Sequence, residues 1–254
     1  MRWMRFEHQG TTGFGVLEDD QVRCYQGDMF GTPVATQILL DVAALTWLPP
    51  CRPGKIIGLW NNFRAAAEKN GWAEPLEPLY FLKSPGSTAG HMQAVAVPAS
   101  YGGRVVYEGE LVVVIGKTAR AVTVQDAAAH VFGYTCGNDF TALELLHRDA
   151  SFVQWTRAKS FDGFAAFGPA IETEFSPVGG HLRTLVGGRE RQNYALSDMF
   201  FSPLELVSRI SHDLTLEPGD LIYCGTSLGV LPLKPGTTVD VVVDGLGTLS
   251  NHYG

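Results

Sequence analysis

The stretch Val105–Lys117, VVYEGELVVVIGK, decides how the rest of the chain is read. Its apolar, β-branched run Leu111–Ile115 ends at Gly116, the pattern of a buried strand. Residues i and i+2 of a strand point to the same face, so Glu108 and Glu110 leave its mouth side by side. Adjacent carboxylates in an apolar setting repel, and both stay ionised only beside a cation. A hard divalent ion held by oxygen ligands meets that need; two solvated acids at a strand end is the plainer alternative.

The next carboxylate in such a position is Asp139, in GYTCGNDFTALE, at the end of a second strand-like run over Phe132–Asp139. Three acids from two strand ends can enclose one Mg²⁺ or Mn²⁺, leaving positions for water and substrate; alone, Asp139 would read as a turn residue. Lys159 lies in WTRAKSFDGFAAFGP, between aromatic residues and ahead of an apolar strand over Phe164–Ile171. A lysine drawn into such a site can orient substrate oxygens or stabilise an enolate, or serve only as a structural ion pair. Thr226, in the Gly-flanked loop YCGTSLGV, can hold a substrate carboxylate through its hydroxyl and neighbouring N–H groups, and is equally readable as a turn threonine.

Outward from these motifs, the pattern is β-rich. Residues 1–50 break into short strand-like pieces with one helix expected near Gln37–Leu45, and Pro49, Pro50, Pro53 and Gly54 mark a boundary. This predicts a small β-rich N-terminal subdomain (1–50) and a catalytic domain (51–254). Within the latter, KIIGLW and LYFLKS read as strands, NNFRAAAEKNG as a helical turn stopped at Gly71, and Thr123–Val131 and Ser202–Ser211 as helices. The last third alternates short β runs with Pro-Gly turns, which favours a roll or barrel over a dinucleotide-binding sheet.

The 254 residues carry a net charge of −7, and their 19 Lys and Arg form no run, which argues against nucleic acid or an anionic membrane as partner. No stretch approaches a membrane span and no apolar signal region follows the N-terminus, so a cytoplasmic protein is expected. Cys24, Cys51, Cys136 and Cys224 are too scattered for a zinc motif and read as small buried hydrophobes in a reducing compartment.

Four segments taken in order, YEGELVVVIGK, GYTCGND, QWTRAKSFDGFAAFGP and LEPGDLIYCGTSLGV, resemble the fumarylacetoacetate hydrolase superfamily over about residues 55–254. The resemblance implies an α+β, β-rich mixed roll with flanking helices, usually a homodimer. It also implies Mg²⁺ or Mn²⁺ on Glu108, Glu110 and Asp139, a functional Lys159, and a substrate-carboxylate contact at Thr226; Ser227 stands where the family usually has proline. The implied substrates are 2-oxo acids with a further carbonyl or carboxylate, which can chelate the metal and form a stabilised enolate.

Two departures follow from the same comparison. The family's lid, GxNYxxHxxE, supplies a water-activating His and Glu, whereas GLWNNFRAAAEKNG offers Arg64 or Ala65 at the His position, depending on register, and keeps Glu68. Glu68 is thus the candidate general base, Arg64 the candidate contact for a distal substrate carboxylate, and His91 or His147 the possible substitutes for the missing histidine. After Asp139, Leu143 and Leu146 occupy positions where relatives carry Arg and Gln. The expected reaction is hydrolysis of a carbon–carbon bond in an acylpyruvate- or fumarylpyruvate-type substrate. Decarboxylation or keto–enol isomerisation is the alternative, favoured by the missing histidine, and a non-catalytic 2-oxo acid binding protein is the third reading.

Overall fold

The computed structural model describes residues 1–254. Every residue of the strand Gly109–Ile115 is buried. It lies inside a 12-stranded sheet, antiparallel to Val131–Asp139 on one side and to Leu221–Tyr223 on the other. Beyond Val131–Asp139 come Ala165–Glu172 and Arg2–His8, and beyond Leu221–Tyr223 come Ile56–Trp60 and Leu79–Lys83. A second sheet of five strands contains His181–Val186, Thr237–Val243 and Gly247–Tyr253.

Strand alternation divides the core. Leu111, Val113 and Ile115 join a cluster of 41 buried residues with Leu182, Val239, Val241 and Leu249 of the five-stranded sheet. Val112 and Val114 face the other way, into 12 buried residues that include Trp3, Ile56, Phe167 and Tyr223. Those partners come from nearby strands of the large sheet itself. Burial on both faces is why the run is continuously apolar rather than alternating. At Gly109 the two sheets approach closely: a Cβ there would lie 2.1 Å from Thr184 Oγ1.

The first fifty residues extend the large sheet through Arg2–His8, which pairs with Ala165–Glu172 at Arg2↔Glu172 and Trp3↔Ile171. The helix expected near Gln37–Leu45 is not formed. Val34–Asp41 is instead a strand paired with Gln21–Gln26, followed by a short 3₁₀ turn at Val42–Ala44. Ile38 and Leu39 are exposed while Leu40 packs inward, so no helical face is available to bury, and the ladder outweighs local propensity. The stretch Val105–Lys117 is not one continuous strand: Val105–Val106 pairs with Thr141–Ala142 in a ladder of its own, and the buried strand begins at Gly109.

Helices form at the other expected positions, though the one expected over Thr123–Val131 is a single α turn, Val124–Ala127, continued by a 3₁₀ turn to His130, with Val131 already in a strand. Arg64–Asn70 stops at Gly71, whose φ of 69° closes the helix in the left-handed conformation. Thr123 caps Val124–Ala127, and Ser202 caps Pro203–Asp213 in a reciprocal capping box with Glu205. All four cysteines are free, three of them buried, and burial pushes the Cys51 and Cys136 thiols up to about 12. No helix is long and apolar enough to cross a membrane.

Leu111 is 0% exposed between the two sheets, whereas Leu76 is 95% exposed. Leu111→Ala should therefore cost about 2–5 kcal/mol of unfolding free energy through lost burial and a residual cavity. Leu76→Ala should stay within about 0.5 kcal/mol of the parent in the same urea titration.

Candidate active site

The ladder brings the acids together. Gly109 pairs with Asn138 and Glu110 with Gly137, so Asp139 falls opposite Glu108, and the Asp139 N–H donates to the Glu108 carbonyl at 2.9 Å. Glu110 projects to the same face and accepts the Gly225 N–H at 2.6 Å. Oxygens of Glu108, Glu110 and Asp139 lie within 4.8 Å of one another. Asp139 and Glu110 are fully buried; Glu108 is half-buried and opens onto a cavity.

Two lysines answer them. Lys159, the last residue of the helix Trp155–Lys159, donates to Glu108 Oε2 at 2.5 Å and to Asp139 Oδ2 at 2.7 Å. Lys83, at the end of Leu79–Lys83, donates to Asp139 Oδ1 and to the Phe164 carbonyl, the latter at 2.9 Å. Lys83 escaped the sequence reading, although a signal was present. Phe81 and Lys83 share parity in LYFLK, and both are buried.

Burial works against all of these charges. It pushes the Glu110 carboxyl well above its ordinary range, and repulsion from Asp139 and Glu108 adds to it. It raises Glu108 as well, against the pull of Lys159. For Lys159 burial opposes the charge, but Asp139 and Glu108 outweigh it and raise the pKa above that of a free lysine. Three carboxylates face two ammonium groups, so one negative charge is left uncompensated in an apolar setting. An all-oxygen donor set with surplus negative charge fits a hard divalent cation, which would let all three acids ionise.

Glu108 and Lys159 carry the cluster to the floor of a cavity of about 760 Å³, with Glu110, Asp139 and Lys83 buried behind them. Glu108, Lys159, Thr141, Thr226 and Ser227 line its polar part; Trp60, Trp72, Phe81 and Trp155 line the wall; Lys69, Arg104 and His147 are also on the lining. Thr226 donates its hydroxyl to the Gly109 carbonyl at 2.9 Å and accepts from Gln192 Nε2 at 2.9 Å, so its side chain is engaged with the scaffold. Its neighbour Ser227 is 3% exposed, and its Oγ has no partner within the protein. Gln192 also accepts from the Gly109 N–H at 3.0 Å and ties the loop to the carboxylate strand. Nothing in the polar sequence RERQNYA marked it; only the pairing of Arg189–Ala195 with His181–Val186 turns it inward.

The lid residues differ from expectation. Helix Arg64–Asn70 shows Ala66, Lys69 and Asn70 to the cavity, a spacing of three and four that leaves Arg64 and Glu68 on other faces. Arg64 is turned onto the Asp198 and Met199 carbonyls and lies 4.8 Å from the centre of the Phe200 ring. Glu68 is exposed and outside the lining. Neither is in place for the role expected of it, because both point away from the bound volume. His91 packs edge-on against Trp47 with ring centres 4.9 Å apart and accepts the Ser250 N–H, whereas His147 lines the cavity.

Comparison with known proteins assigns the class. Residues 55–253 match the family described as fumarylacetoacetate (FAA) hydrolase C-terminal, and residues 1–50 match one described as Rv2993c-like, N-terminal. The chain belongs to the fumarylacetoacetate hydrolase family. It is 39% identical over 219 residues to oxaloacetate tautomerase YisK of Bacillus subtilis, covering 81% of this chain and 72% of that protein. The solved 5-carboxymethyl-2-hydroxymuconate delta-isomerase of Mycobacterium smegmatis superposes with a TM-score of 0.92 at 34% identity, over 100% of this chain and 99% of that one. Maleylpyruvate hydrolase of Sphingobium sp. SYK-6, solved with manganese (II) and pyruvate, superposes at 0.80 with 25% identity over 100% of both chains.

Glu110→Gln should abolish the heat of Mg²⁺ or Mn²⁺ binding in calorimetry while leaving the circular dichroism spectrum intact. An unchanged affinity would remove Glu110 from the ligand set. Elsewhere on the cavity edge, hydrogen bonds from Tyr101 and Arg104 hold the Glu144 carboxyl at about 2, below its usual 4.5. A depressed acid stabilises the fold above its unfolded pKa and loses that contribution as pH falls through the folded value. Between these limits the melting temperature of the parent should fall more steeply with acid than that of Glu144→Gln.

Proposed function

We propose that this chain is a divalent-metal-dependent enzyme that interconverts the keto and enol forms of a 2-oxo acid, with decarboxylation open to substrates that carry a carboxylate on the adjacent carbon. The observation that carries the reading is Lys159, an ammonium fixed between Glu108 and Asp139 at the floor of a cavity walled by aromatic side chains. Isomerisation and decarboxylation both pass through an enolate, and a buried cationic donor beside the developing oxyanion is what lowers that barrier. The likeness to a tautomerase and to a delta-isomerase supports this order of preference.

Glu108, Glu110 and Asp139 would hold Mg²⁺ or Mn²⁺, which when bound supplies Lewis-acid polarisation of the 2-oxo carbonyl. Lys159 donates toward the oxygen that gains charge. The Thr226–Ser227 loop meets the substrate carboxylate, and Thr226 keeps that loop in place through Gly109 and Gln192. Lys83 holds the second oxygen of Asp139, so that carboxylate cannot turn away from the cluster. His147, on the lining, exchanges the substrate proton with solvent.

Hydrolysis, the first expectation from the sequence, becomes the second reading. The likeness to maleylpyruvate hydrolase keeps it open, but the residues expected to activate water, Arg64 in the histidine's place and Glu68, face away from the cavity. A homodimer and a cytoplasmic location remain part of the proposal; exposed Leu82 and Phe152, which border one groove, offer apolar surface to a second copy.

The protein with Mg²⁺ should accelerate enol–keto exchange of oxaloacetate, followed by enol absorbance. Lys159→Met should reduce the rate about 10²–10³-fold, the loss typical of one oxyanion donor. Carboxylic acid products from acetylpyruvate or fumarylpyruvate without exchange on oxaloacetate would restore the hydrolase, and no turnover on any of them would leave a binding protein.

A further inference from the structure

The cavity is larger than a compact four-carbon diacid needs, and its distal wall has a chemistry of its own. Three of the chain's five tryptophans, Trp60, Trp72 and Trp155, line this one space. Trp60 lies 4.9 Å from Trp72 and 6.3 Å from Trp155 between ring centres, and Trp155 stacks on Phe81 at 5.0 Å with an 11° interplanar angle. Leu143, Leu146 and Val153 add aliphatic surface. Phe81 and Trp155 thus form a stacked pair, and its aromatic series continues through Trp60 to Trp72, which is still 40% exposed.

The charged groups on the lining do not offset this. Arg104 is committed to Glu144 at 2.5 Å, with its side chain 61% exposed. Lys69 is an exposed residue of the last helical turn. A distal substrate carboxylate would therefore meet cations that are already paired or solvated, whereas an aryl group would meet the aromatic surface that the Trp60, Trp72 and Trp155 rings turn to the cavity. A cavity of several hundred Å³ that joins an aromatic wall to a set of polar groups is the form taken by sites for ligands of more than a few atoms.

We propose that the Trp60–Trp72–Trp155 wall is a subsite for an uncharged aryl or comparably bulky hydrocarbon tail, so that the preferred substrates are aryl-substituted 2-oxo acids rather than compact dicarboxylates. The inference rests on the 2-oxo acid reading of the Glu108–Lys159 floor and adds the identity of the distal group. The wall sets specificity by burying the tail. The floor recognises the 2-oxo acid head.

The test is calorimetry on the Mg²⁺-loaded protein with three probes, pyruvate, phenylpyruvate and 2-oxoadipate, together with tryptophan fluorescence. Phenylpyruvate should bind about tenfold tighter than pyruvate or better, the order of effect expected of aromatic contacts plus burial, and should quench the emission. Trp155→Ala should lower the phenylpyruvate-to-pyruvate affinity ratio about fivefold to tenfold, as one aromatic contact is removed. Because Trp155 packs on Phe81 and its loss could disturb folding, Trp72→Ala, at a partly exposed position, should lower the same ratio in the same direction. Tighter binding of 2-oxoadipate than of phenylpyruvate would assign specificity to Lys69 and Arg104 and overturn the proposal, as would equal binding of phenylpyruvate and pyruvate. Binding of none of the three would instead overturn the 2-oxo acid reading beneath it.

Discussion

Asp139 is the point through which the site is assembled. Its carboxylate is 0% exposed, and each oxygen is taken by a different ammonium, Lys83 on one side and Lys159 on the other. A buried charge is tolerated only when paired and hydrogen-bonded, and stripping one partner from such a cluster costs about 3–5 kcal/mol. The strand ending at Asp139, the strand ending at Lys83 and the helix ending at Lys159 must therefore meet at one point. Glu108, opposite Asp139 in the ladder, completes the contact to Lys159. The same residues leave an excess of negative charge, so the arrangement that fixes these elements also prepares a place for a divalent ion.

The two sheets divide the work around that point. The large sheet brings strands distant in sequence onto one apolar face and sets the carboxylate strand's mouth at the floor of a cavity. The five-stranded sheet supplies Gln192, which bridges the Gly109 backbone and Thr226 and so fixes the loop carrying Ser227. Its close approach depends on the missing side chain at Gly109, beside Thr184. The helix Arg64–Asn70 and the segment around Trp155 close the cavity with aromatic and apolar surface. The charged cluster and the aromatic wall are consequently built largely from different elements, the first from the ends of strands and of the helix Trp155–Lys159, the second from the cover.

Much of this was legible from residue order. Strand alternation in YEGELVVVIGK places Glu108 and Glu110 on one face, and the run ending at Asp139 supplies a third acid, because both signals depend only on the two-residue period of a strand. The Gly71 stop and the Ser202 cap are equally local, since each satisfies helix-end groups within a few residues. Val34–Asp41 was not legible: its apolar residues admit a helix, and pairing with Gln21–Gln26 decided for a strand.

The sequence by itself determined the family, the β-rich class and which carboxylates share a strand mouth, because motif order and strand parity survive without knowing what packs against what. Tertiary structure alone decided that Lys83 and Gln192 belong to the site, that Ser227 rather than the Thr226 side chain has the free hydroxyl, and that Arg64 and Glu68 turn away from the cavity. The reason is physical. Which face of a short helix or loop meets a cavity depends on partners far away in the chain, such as the Met199 carbonyl that draws Arg64 outward, and local spacing carries no record of them.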